Sequence, residues 1–195
     1  LANVWEGGAT LTAWVFPVSD GEGNAGRIVQ KSVGGSGWFI HVSADDASKV
    51  KFRFSINFSG TDGLWNCTNT EVTLNTWNHI AVAYDSSNVA NSAVLYTNGV
   101  AVAVSEVSPV GTKADDAATA MVLGNNSGDS ATFDGSIDRL SIRKGILTAA
   151  EILDLYNAGQ GRERQTTFSA IDESKALGSV PMRAHYLDTT QKTEN

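Results

Sequence analysis

Residues 77–99, WNHIAVAYDSSNVANSAVLYTNG, restrict the fold more than any other stretch of the chain. Between Trp77 and Tyr84 every second residue (Ile80, Val82, Tyr84) is large and apolar. A pleated strand sends alternate side chains to opposite faces, so these three share one face while His79, Ala81 and Ala83 share the other. Asp85-Ser86-Ser87-Asn88 supplies side chains that bond their own backbone in tight turns. Ala93 to Thr97 then resumes an extended run that ends in Asn98-Gly99, before a further apolar run from Val100 to Val104. Asn-Gly between two such runs predicts a two-residue type I′ hairpin, because that turn needs φ > 0 twice. The segment therefore predicts an antiparallel meander.

The flanking chain carries the same signal. From Lys49 to Phe58 the alternation predicts Val50, Phe52, Phe54, Ile56 and Phe58 inward and Lys51, Arg53, Ser55 and Asn57 outward. Trp38, Ile40 and Val42 alternate with Phe39 and His41, so both faces are apolar, as expected of a strand at the centre of a two-layer sandwich. Thr10 to Pro17, Arg27 to Lys31, Ala120 to Leu123 and Thr132 to Arg143 read as further strands, and Ser59 to Asn66 as a polar loop carrying Trp65. Trp14, Trp38 and Trp77 are expected in the core. One short helix is predicted near the end: Thr148-Ala149-Ala150-Glu151 forms a capping box, Ile152, Leu155 and Tyr156 share a face, and Gly159 stands where a left-handed C-terminal cap belongs. With 19 glycines and 3 prolines in 195 residues, the predicted class is all-β: an antiparallel two-sheet jelly-roll sandwich with a short C-terminal helix.

Three passages carry a family resemblance. Trp77-Asn78-His79-Ile80-Ala81-Val82-Ala83-Tyr84-Asp85, followed by Leu95-Tyr96-Thr97-Asn98-Gly99-Val100, resembles the W-x-H-hydrophobic-A-x-x-Y-D … L-Y-x-N-G-x passage of laminin G-like domains, within the concanavalin A-like lectin and glucanase superfamily. Ala13-Trp14-Val15-Phe16-Pro17 is similar to the family's early A-W-V-x-P strand. Phe133 to Ile142 is similar to its late F-x-G-x-I-D-E-V-x-I strand. The resemblance implies the sandwich just described, with His79 in a structural position. It also implies that a first strand of the form hydrophobic-x-F-D-G-x-x-D-Y-V precedes Leu1, or that another segment takes its place. Since the chain starts at Leu1, it is expected to be cut from something larger.

Charge divides the chain into two parts. Residues 1–159 hold 9 Lys and Arg against 16 Asp and Glu and carry the whole net charge of −7, whereas residues 160–195 hold five of each. An acidic domain repels phosphate backbones, so nucleic acid is excluded as a partner. No run of about 20 apolar residues is present to span a bilayer. Residues 1–159 are expected to form the sandwich. Residues 160–195, without sustained periodicity, are expected to be an irregular C-terminal arm or linker that orders only by docking, on this domain or on neighbouring subunits.

The residues favour recognition over catalysis. Retaining glucanases of the superfamily carry an E-x-D-x-x-E strand that brings carboxylates about 5 Å apart, and no such run occurs here. Nor do three dispersed histidines and the single Cys67 make a nucleophilic triad signal. For sugar binding, Trp65 with Asp62 and Asn66 beside it is the predicted site, an aromatic face for C–H surfaces flanked by planar polar groups for hydroxyls. Asp138 shares strand phase with Leu140 and Ile142, so the alternation aims its carboxylate at the core. It is then either a hydrogen-bonded structural residue or, with Asp134, part of a structural calcium site. The acidic loops Asp45-Asp46, Asp115-Asp116 and Asn125 to Asp129 are alternative calcium positions. The expected function is a recognition or adhesion module, binding glycan or a surface protein through loops at one end of the sandwich, on an extracellular or particle surface. A structural subunit of a virion or surface filament, held to its neighbours by the arm, is the alternative.

Overall fold

A computed structural model of the chain describes residues 1–43 and 46–157. The hairpin forms at Asn98-Gly99, with φ of 50° and 78° and Thr97 paired to Val100. It joins β8 (Val94–Thr97) to β9 (Val100–Ala101), and β8 pairs with β7 (Asn78–Tyr84). With β1 (Ala9–Pro17) and β12 (Gly135–Lys144) these make a five-stranded antiparallel sheet in the order β12-β1-β7-β8-β9.

The opposing sheet runs β10 (Val104–Val107), β5 (Gly63–Cys67), β4 (Lys49–Ile56), β3 (Ser36–Ser43), β2 (Arg27–Val33) and β11 (Val122–Leu123). A seventh strand, β6 (Val72–Thr73), pairs with the start of β4. The two sheets meet over one apolar core, in which Val50, Phe52 and Phe54 from β4 and Trp38, Ile40 and Val42 from β3 are all fully buried.

Aromatic rings fill its centre. Phe54 stacks on Trp65 at 5.6 Å between centroids, Trp65 meets Tyr84 at 4.8 Å, and Trp5 lies 4.8 Å from Phe54. Each such pair adds about 0.5–1.5 kcal/mol beyond the area it buries.

Of the three tryptophans expected in the core, Trp38 is there. Trp14 packs on the outer face of the five-stranded sheet beneath the helix, and Trp77 is 44% exposed against the edge of Phe16. Trp77 lies just before β7 and in phase with His79, Ala81 and Ala83, which face away from the core of the sandwich.

The helix, α1 (Ala149–Tyr156), starts at the predicted box: Thr148 accepts from the Glu151 amide, and Glu151 accepts from the Thr148 amide. Its left-handed cap is Asn157, two residues before the expected Gly159, which lies outside the described residues. Ile152 buries against Ala81, Ala83 and Tyr96 on the outer face of the five-stranded sheet. Gly99 lies beneath the helix, and a Cβ there would approach the Leu153 side chain to 2.7 Å. The arm expected from residue 160 onward, with its docking role, lies outside the described residues, as does Asp45. No helix among the described residues is long and apolar enough to cross a membrane.

Candidate functional site

Asp62, Trp65 and Asn66 do not form one site. Where a polar loop was expected, the chain is already in β5, and consecutive strand residues point to opposite faces. Trp65 therefore turns inward, with no exposed surface, and its Nε1 donates to Ser92 Oγ at 3.0 Å. A ring enclosed in this way offers no platform to a sugar, which corrects the expectation for Trp65. Asp62 accepts from the Phe58 amide at 2.9 Å and from Asn57 Nδ2 at 3.0 Å, so its carboxylate closes the turn after β4. Asn66 faces outward.

The reading of Asp138 also changes. Thr12 pairs with Ser141 and Trp14 with Asp138, so three steps along β12 match two along β1. The extra residue is a β-bulge, marked by Arg139 at φ 50°. It inverts the phase, so that Ile137, Leu140 and Ile142 pack against the core while Asp138 is exposed. Its Oδ1 accepts from the Arg139 amide at 2.8 Å and its Oδ2 lies 3.6 Å from the Arg139 guanidinium. Asp134 is also exposed and accepts from Ser19 Oγ at 2.9 Å. The two carboxylates are thus engaged separately, and among the described residues no group of three or more His, Cys, Asp or Glu side chains converges to hold a metal. These donors do not fit a calcium ion, which takes six to eight oxygens.

Two other places concentrate polar groups. At one end of the sandwich a cleft of about 490 Å³ is lined by Glu6, Phe58, Ser86, Ser87, Thr112 and Lys113. Its charged groups engage one another. Lys31 pairs with Asp116 at 3.1 Å, and Lys113 donates to Asn3 Oδ1 at 2.6 Å and to the Ala114 carbonyl at 2.8 Å, with Asp116 and Glu6 at 3.7 and 3.8 Å. Asn3 and Asp116 also bond reciprocally, 2.7 Å from the Asn3 amide and 3.1 Å from the Asp116 amide. This network fastens the long loop to the N-terminal segment, with Asp116 Oδ2 left 3.7 Å from the Lys113 ammonium and without a hydrogen bond.

The outer face of the seven-stranded sheet differs. Cross-strand register places Arg27 opposite His41, His41 opposite Arg53, Arg53 opposite Asn66 and Asn66 opposite Ser105, which makes one row across five strands. The adjoining row is Gln30, Phe39, Ser55, Leu64 and Val107. Neither row contains a carboxylate, although the chain is acidic overall. The Arg27 guanidinium lies 3.8 Å over the Phe39 ring and also contacts His41 Nδ1. Burial, reinforced by Arg27 and Arg53, pulls the His41 pKa down to about 3, so the imidazole is neutral at physiological pH. Arg53 Nε, Ser55 Oγ and Asn66 Oδ1 are buried without a hydrogen-bond partner. A polar group in that state has lost its water and gained nothing in return, which costs about 1–3 kcal/mol each.

Chemically, these rows can donate hydrogen bonds from guanidinium, amide and hydroxyl groups and attract negative charge. They contain no carboxylate pair for general acid–base work on a glycoside. Alternation alone predicts the outward set on β4. The row itself depends on register between strands remote in sequence.

The fold is thus a two-layer antiparallel sandwich with a polar row on the outer face of one sheet. A laminin G-family model, described as the concanavalin A-like lectin/glucanases superfamily, matches residues 2–153, and the chain belongs to that superfamily. No curated protein matches the chain at a significant level. Among solved structures, the native heptameric SAP-like pentraxin from Limulus polyphemus is 13% identical, with a TM-score of 0.59 over 77% of this chain and 70% of that one. The CBM40 domain of the Ruminococcus gnavus IT-sialidase, bound to α2,3-sialyllactose, is 16% identical, with a TM-score of 0.57 over 77% and 83%. The binding domain of botulinum neurotoxin DC in complex with rat synaptotagmin II is 16% identical, with a TM-score of 0.55 over 81% of this chain and 37% of that one. At such identities the likeness is one of fold.

Proposed function

We propose that this domain is a non-catalytic recognition module that holds a glycan against the outer face of the seven-stranded sheet. The observation that carries this reading is the in-register row of Arg27, His41, Arg53, Asn66 and Ser105, with its buried unpartnered atoms on Arg53 and Asn66. A sugar hydroxyl both accepts and donates, so one hydroxyl can accept from Arg53 and donate to Asn66 directly opposite. Arg53 and Asn66 are half-buried, so a ligand reaches their unpartnered atoms only if these side chains shift, and the hydrogen bonds it then makes recover the cost of leaving them unpaired. Among the structures of like fold, one is a carbohydrate-binding domain with a bound sialylated sugar, which supports a glycan as the ligand class. An extracellular or particle-surface setting belongs to this reading, since glycans are displayed there.

A glycan array probed with the wild type and with Arg53→Ala tests it. Hits that the variant loses at unchanged melting temperature support the face as the site. Hits retained by the variant, or no hits at all, overturn it. A reducing-sugar assay on the hit glycans checks the non-catalytic part, because product release means the module is an enzyme. The assembly alternative, with adhesion to neighbouring subunits through residues 160–195, predicts that truncation after Gly159 abolishes oligomers. A recognition module keeps its glycan hits after the same cut.

A further inference from the structure

Beside the cleft at the end of the sandwich, two buried ammonium groups surround one buried carboxylate. Lys31 and Lys113 are 4% and 9% exposed, and Asp116 has no exposed surface. Asp116 Oδ1 accepts from Lys31 at 3.1 Å and from the Asn3 amide at 2.7 Å, while Oδ2 faces Lys113 at 3.7 Å without a hydrogen bond. Glu6 lies 3.8 Å from Lys113, but its side chain is 52% exposed and compensates little. Two buried positive charges thus share one buried negative charge, and a surplus charge in such a place is costly.

Lys113 is also set against an acyl group. Its Nζ lies 2.6 Å from Asn3 Oδ1, and the carbonyl carbon is one double bond behind that oxygen. Nζ is therefore at most about 3.8 Å from Asn3 Cγ, close to the ~3–3.5 Å of atoms held ready to react. The Asp116 amide donates to the same Oδ1 at 3.1 Å, where negative charge develops if Cγ is attacked. Asn3 Nδ2, the group that would leave, donates to the exposed Asp115 carboxylate at 2.8 Å, which gives it a path to solvent. Nucleophile, proton acceptor, oxyanion donor and exit meet at one side-chain amide.

We infer that Lys113 and Asn3 join in an intramolecular isopeptide bond that the folded domain forms by itself. The Lys113 ammonium gives a proton to Asp116 Oδ2, across a gap that a small side-chain movement closes. The freed amine attacks Asn3 Cγ, making the new C–N bond as the carbonyl π pair moves onto Oδ1. Collapse of that oxyanion restores the carbonyl and breaks the bond from Cγ to Nδ2. The attacking nitrogen passes a proton to Nδ2, which departs as ammonia and takes the Asp116 proton with it. An ammonium and a carboxamide thereby become a secondary amide and a free ammonium ion, and the reaction needs no oxidant or cofactor. The product removes the surplus cation and leaves Lys31 and Asp116 as a matched pair. It also closes most of the sandwich into one covalent loop, which restricts the unfolded chain as a disulfide does.

Intact-mass spectrometry of the full chain tests this. The wild type should be lighter than its sequence mass by one ammonia, and trypsin should release a branched peptide joining Leu1–Arg27 to Phe54–Arg139 with Lys113 uncut. Lys113→Arg should have its full sequence mass. Asn3→Asp should form the same branched product and be lighter than its own sequence mass by one water. Asp116→Asn, where circular dichroism shows it folded, should have its full sequence mass, since the proton relay is gone; a branched peptide in that variant overturns the role of Asp116. Cyclisation of Asn3 on its own backbone also loses ammonia, so Lys113→Arg is the deciding control. A wild type at full sequence mass, a deficit that persists in Lys113→Arg, or a digest without the branched peptide overturns the bond.

Discussion

Lowering the pH from 7 to 5 should destabilise the sandwich through two histidines. His41 and His79 are 5% and 2% exposed, and their pKa values fall from the ordinary 6.5 to about 3 and about 4. Burial dominates both, and at His41 the charges of Arg27 and Arg53 add to it. Because the folded pKa is the lower one, the unfolded chain takes up protons first as pH drops through 6.5. Stability is full above that value and falls toward the folded pKa. Between pH 7 and 5 each histidine removes about 2 kcal/mol, roughly 4 kcal/mol together, a large share of the 5–15 kcal/mol that holds a typical domain. The lowered carboxylates, Asp46 at about 2 and Glu22, Asp85, Asp115 and Glu151 with it, lose their contributions mainly below this window, since their ordinary values are 4.5 or less. Urea unfolding followed by tryptophan fluorescence at pH 7, 6 and 5 gives the slope directly. His41→Gln or His79→Gln should each remove about half of it, and the double variant nearly all. A flat profile in the wild type, or a slope that persists in the double variant, would refute the claim that the two imidazoles are buried neutral.

Trp65→Ala should cost about 3–5 kcal/mol in chemical denaturation, because it empties the centre of the aromatic core; a loss below 1 kcal/mol would return the ring to the surface. Gly99→Ala should lower stability by about 1–3 kcal/mol, from the positive φ and the contact with Leu153, and Gly99→Asn should recover part of that loss, as read by thermal unfolding. Chelation with EDTA followed by added calcium should leave the melting temperature unchanged, since Asp134 and Asp138 are spent on Ser19 and Arg139; a shift of several degrees would restore the calcium site.

Local chemistry settled much of this protein. Chain stereochemistry requires the two positive φ angles at Asn98-Gly99, the inward set Val50, Phe52 and Phe54, and the box at Thr148 and Glu151, all of which involve neighbours within a few residues. Such features depend on periodicity and turn geometry, which are written in consecutive residues. The fate of Trp65, Asp138 and the outer row was decided at longer range. One extra residue in β12 reversed the side of Asp138, the onset of β5 turned Trp65 inward and Asn66 outward, and the pairing of five strands assembled Arg27, His41, Arg53, Asn66 and Ser105. Register and bulges come from how sheets settle over a shared core, and a single residue of slip exchanges the faces of everything beyond it.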